Sequence, residues 1–257
     1  MRRRILISND DGIYGLGLKP LIHALQTLGE VTVIIPDSER SAASHSITLH
    51  KPFRVQTLSI KLNSHDKAQV YITNGTPSDC VKFGIHEILK GKKVDLVVGG
   101  INSGPNLGED TIYSGTVAVA RQSAMLGVPS FSISVMREKP ADFNAAAKVS
   151  VKVAKFILKN KLPPRIFLNV NLPPFSNRKM PVEFTRLGRR IYGKEIPSGV
   201  DPRGSPFYWL AGVVPTGIPE EGTDIGAVKL NRVSVTPLDI DSTAYPFLEK
   251  LRNEKLD

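Results

Sequence analysis

The chain has 257 residues, of which 41% are hydrophobic and 23% charged, and its formal net charge is +10. Such a composition is typical of a globular protein with one large domain or two modest ones, and the single cysteine excludes an internal disulfide framework. No stretch approaches the ~20 apolar residues of a membrane span, and the basic residues form no long run interleaved with aromatics, so we expect a cytoplasmic protein without a membrane or nucleic-acid partner.

The first two-thirds of the chain alternate predicted strands and helices. Short apolar runs bounded by Gly, Pro or polar residues predict strands, and apolar residues at three- and four-residue spacing predict helices. The predicted strands cover residues 4–8, 31–35, 53–58, 70–73, 96–100, 130–135 and 166–170. The predicted helices cover residues 18–28, 76–89, 116–125 and 141–158, with Thr76 or Ser78 as the cap of the second. This alternation indicates an α/β fold with a mostly parallel sheet covered on both faces.

The texture of the sequence changes from Pro173 onward. Proline and glycine become frequent, in stretches such as PPFSNRKMP, IPSGVDPRGSP and VVPTGIPEEGTD, and helical periodicity is weak until residues 244–251. We expect an irregular, β-rich segment that packs on a partner subunit. The predicted organisation is a metal- and phosphate-binding core over residues 1–172 and a C-terminal segment, ending in a helix, over residues 173–257.

Three polar loops follow predicted parallel strands. NDDGIYGLG follows the first strand, PDSERSAASHS the second, and GGINSGPNLGEDTIYSGT the strand at residues 96–100. Ligands of open parallel sheets bind beyond the carboxyl ends of the strands. We therefore expect the three loops to share one edge of the sheet and to form the functional site there.

The first loop places two adjacent acids, Asp10 and Asp11, after Asn9. Two ionised carboxylates ~4 Å apart repel by roughly 4 kcal/mol at an effective dielectric near 20. A bound cation therefore explains the pair better than one helix cap beside one solvated acid. The glycines follow G-x-x-G-x-G rather than the dinucleotide pattern G-x-G-x-x-G, and the two acids would repel a pyrophosphate.

The second loop carries several hydroxyl groups together with Arg40 and His45. Hydroxyls can ligate a hard cation or hold phosphate oxygens, and Arg40 can neutralise phosphate. By itself the loop is equally compatible with a polar, turn-rich connection without function. His45 is a candidate general acid for the leaving oxygen of a substrate.

The third loop is rich in glycine, which permits close approach of the backbone to a ligand. Asn102 and Asn106 supply neutral oxygen donors. Residues 114–116 open a predicted helix, so their free N–H groups and the positive end of the helix favour an anion. Long loops in compact domains are usually functional.

The donors at this edge are all oxygens, which suits Mg²⁺ or Mn²⁺ bridging to phosphate. The sequence has no Cys/His cluster for structural zinc, no P-loop for a nucleoside triphosphate and no G-x-S-x-G elbow for an ester hydrolase. The residues therefore predict metal-assisted hydrolysis of a phosphate ester, with a cation that polarises the phosphate.

The sequence resembles the SurE family, stationary-phase survival proteins that act as 5′/3′-nucleotidases. The resemblance rests on stretches along essentially the whole chain: ILISNDDGI, PDSERSAASHSITLHKP, YITNGTPSDCVKFGI, DLVVGGINSGPNLGEDTIYSGTVAVA, LNVNLP, EGTDIGAV and VSVTPLDIDST. It implies a Rossmann-like three-layer sandwich that hydrolyses nucleoside 5′- and 3′-monophosphates, with short polyphosphate as a further substrate. It also implies a homodimer or homotetramer built through exchanged C-terminal segments.

The resemblance further implies one divalent metal per subunit, Mg²⁺ or Mn²⁺. Its protein ligands would be Asp10, Asp11, Ser41 and Asn102, and Asp10, Asp11 and Asn102 would act in catalysis. We expect further substrate or phosphate contacts from Asn9, Arg40, His45, Ser103, Gly104, Ser114, Gly115 and Thr116. One departure from the family pattern is Ser44, which stands in SAASHS where the family has glycine.

Two other functions use the same residues. A nucleotide-binding regulatory protein would hold a nucleotide at these loops without turnover. A haloacid-dehalogenase-like phosphatase also places acids after its first strand, but its D-x-D spacing and covalent aspartyl intermediate do not match the adjacent Asp10 and Asp11.

Overall fold

The expected sheet is present and extends into the C-terminal third of the chain. The computed structural model describes residues 2–62, 67–136, 139–175, 180–210, 215–252 and 254. The strands in chain order are β1 (Arg3–Ser8), β2 (Gly29–Pro36), β3 (Val55–Lys61), β4 (Lys67–Thr73), β5 (Leu96–Ser103), β6 (Ser130–Val135), β7 (Ile166–Leu172), β8 (Val182–Phe184), β9 (Arg190–Ile191), β10 (Ser198–Val200), β11 (Pro206–Tyr208), β12 (Thr216–Gly217) and β13 (Val233–Asp239). Within the described residues, one nine-stranded sheet has the order β3-β4-β2-β1-β5-β6-β7-β13-β8. Its neighbouring strands are parallel except at the β3–β4 and β7–β13 pairs.

The helices lie on both faces of this sheet. They are α1 (Leu18–Leu25), α2 (Pro77–Phe83), α3 (Asp110–Tyr113), α4 (Gly115–Met125), α5 (Pro140–Asn160), α6 (Asp224–Lys229) and α7 (Tyr245–Leu251). A 3₁₀ turn (Gly12–Tyr14) follows β1, and a π-helical turn (Gly84–Ile88) continues α2. No described helix is both long and apolar enough to cross a bilayer.

Strand β1 shows why the layers form. Ile5 and Ile7 pack in the cluster that contains Phe143 of α5, whereas Leu6, between them, packs in the cluster that contains Val119 of α4. Successive side chains of a strand point to opposite faces, so a continuous apolar run is stable only with cover on both sides. Each fully buried Ile or Leu contributes roughly 1.5–3 kcal/mol. The predicted three-layer α/β arrangement is confirmed.

Some helix boundaries in the structure differ from the predicted ones, because local hydrogen bonds begin or end the helix at another residue. Helix α1 ends at Leu25 rather than at residue 28, because the chain turns there and the Thr27 hydroxyl donates to the Ala24 carbonyl at 2.6 Å. Thr76, and not Ser78, caps α2: its hydroxyl accepts from Asp79 N at 3.1 Å, while the Asp79 carboxylate accepts from Thr76 N at 2.9 Å.

The C-terminal segment is β-rich as predicted, but it is not separate from the sheet. Strand β10 pairs with β11 and β9 with β12, whereas β13 inserts between β7 and β8. Helix α6 is too short, at six residues, for a visible periodicity, and Thr223 caps it. Residues 176–179 and 213–214 of the predicted irregular stretches lie outside the described residues. The domain division at residue 172 stays a prediction, and the sheet continues across it.

Cys80 allows a test of the packing between α2 and the face of the sheet that carries Leu6. Its side chain is fully buried in α2 against Leu6 and Ile34, and this burial raises the pKa of the thiol to about 12. Because the thiolate is the nucleophile, we expect native protein to resist iodoacetamide at pH 8 and to react once it is unfolded in guanidinium. Mass spectrometry measures the modification. The unfolded chain is the positive control, and rapid stoichiometric labelling of native protein would contradict this packing.

Candidate active site

Three loops meet in a cleft of about 680 Å³ at the carboxyl edge of the sheet. They follow β1, β2 and β5, as the parallel topology requires. The four predicted metal-binding residues all line this cleft: Asp10, Asp11, Ser41 and Asn102. The structure thus brings together side chains that lie more than ninety positions apart in the sequence.

Asp10 is the most tightly held of these side chains. It is only 6% exposed, its Oδ1 accepts from the Thr116 hydroxyl at 2.5 Å, and its Oδ2 accepts from Thr116 N at 3.1 Å. Thr116 lies in the first turn of α4, where the helix end favours a negative charge. Burial nevertheless raises the pKa of the Asp10 carboxyl, the hydrogen bonds from Thr116 acting in the opposite direction. A bound cation would offset this cost of burying a charge.

Two glycines allow these loops to approach each other. A Cβ atom on Gly115 would lie 2.9 Å from both Cβ and Oδ2 of Asp10. A Cβ atom on Gly17 would lie 2.2 Å from the backbone oxygen of Ile101, in the third loop. The first loop therefore packs against both the start of α4 and the strand end that carries Asn102.

Asn9 shapes the first loop from within. It is fully buried, its amide nitrogen donates to the Gly12 carbonyl at 3.0 Å, and its amide oxygen accepts from Gly12 N at 3.1 Å. Both polar atoms of the side chain are thus engaged with the backbone of the same turn. Asn9 is not among the residues that line the cleft, and its predicted contact to phosphate stays a prediction.

Asp11 and Asn102 face the same cleft from neighbouring strand ends. Asp11 is half-buried, and its Oδ2 accepts from Ser103 N at 3.4 Å. The amide nitrogen of Asn102 donates to the Gly104 carbonyl at 2.8 Å. That bond leaves the amide oxygen of Asn102 as the group available to a ligand.

Asn106 anchors the third loop, and it also lines the cleft, so its predicted role as an oxygen donor to a ligand stays a prediction. Its backbone oxygen accepts from the amide nitrogens of Asn169 at 2.8 Å and Asn171 at 3.0 Å. Its own amide nitrogen donates to Ser134 Oγ at 2.8 Å. Sequence analysis assigned no role to Asn169 and Asn171, although asparagine at alternate positions of a buried strand (LNVNLP) is a visible signal, since buried amides must find partners.

Backbone hydrogen bonds hold the second loop on both sides of Ser41. Arg40 N donates to the Asp10 carbonyl at 2.8 Å, and Ser44 N donates to the Tyr113 carbonyl at 2.8 Å. The Ser41 hydroxyl donates to the Glu39 carboxylate. Ser44 has φ +53°, in the left-handed region that favours glycine, which explains why glycine is the usual residue there in the family pattern.

The other predicted phosphate contacts divide into two groups. Ser103 and Ser114 line the cleft, whereas Arg40, His45, Gly104, Gly115 and Thr116 do not. Arg40 forms an ion pair with Asp37 at 3.0 Å, and Gly115 and Thr116 contact Asp10. At the start of α4, Thr116 N donates to the Asp10 carboxylate and Val117 N donates to the Ser114 hydroxyl. The phosphate contacts proposed for residues 114–116 stay predictions.

His45 is engaged outside the cleft lining. Its Nε2 lies 2.8 Å from the Gln122 side-chain oxygen, and burial lowers the pKa of the imidazole while that hydrogen bond raises it. The lowered pKa leaves the ring neutral at pH 7. Its role as a general acid stays a prediction.

The lining of the cleft contains an ion pair between Arg190 and Asp110, which sequence analysis did not predict. Arg190, from β9, binds Asp110 with an N–O distance of 2.6 Å, and the Tyr192 hydroxyl donates to the same carboxylate at 2.8 Å. The buried Asp224 carboxylate accepts from Gly108 N at 2.8 Å and Gly188 N at 2.7 Å. These contacts join residues that lie between 36 and 116 positions apart in the sequence, so no local pattern reveals them.

The donor set determines which metal the cleft suits. No group of three or more His, Cys, Asp or Glu side chains placed to hold a metal occurs in the described part of the chain. A metal at this cleft would therefore depend on two carboxylates, a hydroxyl and an amide oxygen. Hard oxygen donors of this kind suit Mg²⁺ or Mn²⁺ and not zinc held by sulfur or imidazole.

Substitution of Thr116 tests whether its hydroxyl stabilises the buried Asp10 carboxylate. Thr116→Val keeps the shape but leaves a buried carboxylate oxygen without its donor, which costs ~1–3 kcal/mol of unfolding free energy. Loss of such a supporting bond also weakens metal binding about 10–100-fold. Guanidinium unfolding and calorimetric titration with Mn²⁺ measure the two effects. Thr116→Ser, which keeps the donor, is the matched control, and equal behaviour of the two variants would disprove the support.

Comparison with known proteins identifies the relatives of this chain. A family model described as Survival protein SurE matches residues 5–194. A protein named 5′-nucleotidase SurE from Thermoanaerobacter sp. (strain X514) is 40% identical over 250 residues, 97% of each chain. A 5′-nucleotidase SurE 1 from Thermus thermophilus is 44% identical over 249 residues, 96% of each chain. The crystal structure of SurE protein from Aquifex aeolicus has a TM-score of 0.80 at 39% identity, covering 97% of this chain and 98% of that one. The chain belongs to the SurE family.

Proposed function

We propose that this chain is a 5′-nucleotidase that hydrolyses nucleoside 5′-monophosphates in the cleft with one divalent cation, Mg²⁺ or Mn²⁺. The observation that carries the proposal is the convergence of Asp10, Asp11, Ser41 and Asn102 on one cleft. The names of the SurE relatives support the nucleotidase activity. Nucleoside 3′-monophosphates and short polyphosphate are further proposed substrates.

The residues present fit a cation. Asp10 is a buried carboxylate that accepts hydrogen bonds from the hydroxyl and the backbone nitrogen of Thr116, and Asp11 adds a second negative charge beside it. The amide oxygen of Asn102, in the same cleft, has no hydrogen-bond partner among the residues that the structure describes. A divalent cation would remove the repulsion between the acids and the cost of burying one of them.

When bound, the cation offsets the charge of the phosphate and polarises the ester. The protein residues supply position. Asp10 is fixed by α4, Asp11 by the backbone of the third loop, and Asn102 by its bond to Gly104. A reaction that depends on charge placement gains most from donors that do not reorganise.

Asp11 gives the most direct test of the proposed activity. We expect wild-type protein to release phosphate from AMP with Mn²⁺, to lose this activity with a chelator and to regain it with added metal. Asp11→Asn should lower kcat/KM at least about 100-fold, because removal of a group that stabilises transition-state charge typically costs 10²–10³-fold. Colorimetric phosphate release measures the rate.

Glu30→Gln is the charge-matched control, since this exposed acid lies at the opposite end of β2. Metal-independent turnover, or unchanged turnover in Asp11→Asn, would contradict the proposed site. AMP binding without phosphate release would favour the regulatory protein, and a trapped phospho-enzyme would favour the dehalogenase-like mechanism.

We also propose a cytoplasmic homodimer or homotetramer assembled through the C-terminal segment. Large apolar side chains are exposed on β10–β11 and on α7, which has no buried residue of its own: Val200, Phe207, Tyr208, Tyr245, Phe247 and Leu251. Exposed apolar patches of this kind are typical of subunit interfaces. Light scattering of the purified protein should give a dimeric or tetrameric mass, and a monomer at micromolar concentration would contradict the proposal.

A further inference from the structure

Two tyrosines at the rim of the cleft have no role in the fold. Tyr14 is 90% exposed and Tyr113 is 55% exposed, and both line the cleft. Neither side chain forms a hydrogen bond or ring contact with another described residue. Large aromatic rings left in water cost free energy that a ligand can recover on binding.

Each tyrosine lies in the chain close to a predicted metal ligand or to a residue that binds one. Tyr14 ends the 3₁₀ turn three positions after Asp11. Tyr113 ends α3 and precedes Ser114, which caps α4, the helix that binds Asp10 through Thr116. The backbone oxygen of Tyr113 also accepts from Ser44 N and so joins the second loop. The backbone that carries each ring is therefore held close to the carboxylates.

The cleft also has the size and mixed chemistry of a nucleotide site. Its volume of about 680 Å³ lies within the ~300–1,000 Å³ of small-molecule sites and exceeds what phosphate alone would fill. Leu16, Pro105 and Pro215 add apolar surface to its lining, apart from the carboxylates. The lining of the cleft thus combines carboxylates, which suit a cation and phosphate, with aromatic and apolar side chains, which suit a flat apolar group.

We propose that Tyr14 and Tyr113 form a nucleobase subsite, on which the base of a nucleoside monophosphate stacks while its phosphate reaches Asp10 and Asp11. This inference rests on the proposed function and adds how the substrate is selected. Stacking on aromatic rings accepts every base, because each base has a π face. The enzyme should therefore discriminate strongly between nucleotides and plain sugar phosphates, and weakly among the bases.

The test compares AMP with ribose 5-phosphate, which shares the phosphate and sugar but lacks the base. Tyr14→Ala and Tyr113→Ala should each lower kcat/KM for AMP about tenfold, mainly through KM, and should leave kcat/KM for ribose 5-phosphate unchanged. Tyr14→Phe keeps the ring and should retain wild-type values. Met125→Ala is the control, because Met125 is 56% exposed at the far end of α4 and does not line the cleft.

A second measurement separates this inference from the proposed function. Adenosine lacks phosphate, so its binding, observed by ligand-detected NMR with the wild-type protein, reports the subsite without turnover. Suppose that wild-type protein binds adenosine, that Tyr14→Ala weakens this binding, and that wild-type protein hydrolyses no phosphate ester. This result supports the subsite and overturns the proposed nucleotidase activity. AMP hydrolysis with an unchanged AMP to ribose 5-phosphate ratio in both alanine variants overturns the subsite and keeps the nucleotidase.

Absence of adenosine binding by wild-type protein also overturns the subsite. So does an equal loss of activity toward both substrates. If that equal loss comes with a lower mass in light scattering, the rings belong to a contact between subunits.

Discussion

The placement of one buried carboxylate organises this cleft. Asp10 lies at the end of β1, and the first turn of α4 holds it through Thr116. To bring these groups together, Gly115 must lack a side chain, and the third loop must be anchored so that α4 begins at the right place. Asn106 provides that anchor through its bonds to the asparagines of β7. The sheet, the loop and the helix are thus adjusted to a single charged group.

The charge of the cleft differs from the charge of the whole protein. The chain carries a formal net charge of +10, whereas the described lining of the cleft contains four carboxylates and one guanidinium: Asp10, Asp11, Glu39, Asp110 and Arg190. A basic surface attracts anionic substrates over distances of about one Debye length, ~8 Å at physiological salt. Under the proposed function, a cation bound at the site would offset the repulsion between these carboxylates and a phosphate. The two opposing charge patterns are consistent with that proposal.

The sequence predicted those parts of the structure that local patterns encode. Apolar runs located the strands, and the parallel topology placed three loops at one edge; the cation that the adjacent acids indicate stays a prediction. The resemblance added Ser41 and Asn102, which the structure places in the same cleft. Partners distant in sequence could not be predicted. The hydrogen bonds between Thr116 and Asp10 and the Arg190–Asp110 ion pair join segments eighty or more positions apart, and only the folded geometry decides which side chains become partners.

The position of β13 has a consequence for synthesis of the chain on the ribosome. Strand β7 ends at Leu172, and its partner on one side, β13, begins at Val233. Until residues 173–232 have been synthesised, the edge of β7 that will pair with β13 is unpaired and can pair with another chain. At 5–20 residues per second this exposure lasts about 3–12 s. The nascent protein therefore passes through an aggregation-prone stage whose duration is set by the length of the chain between these two strands.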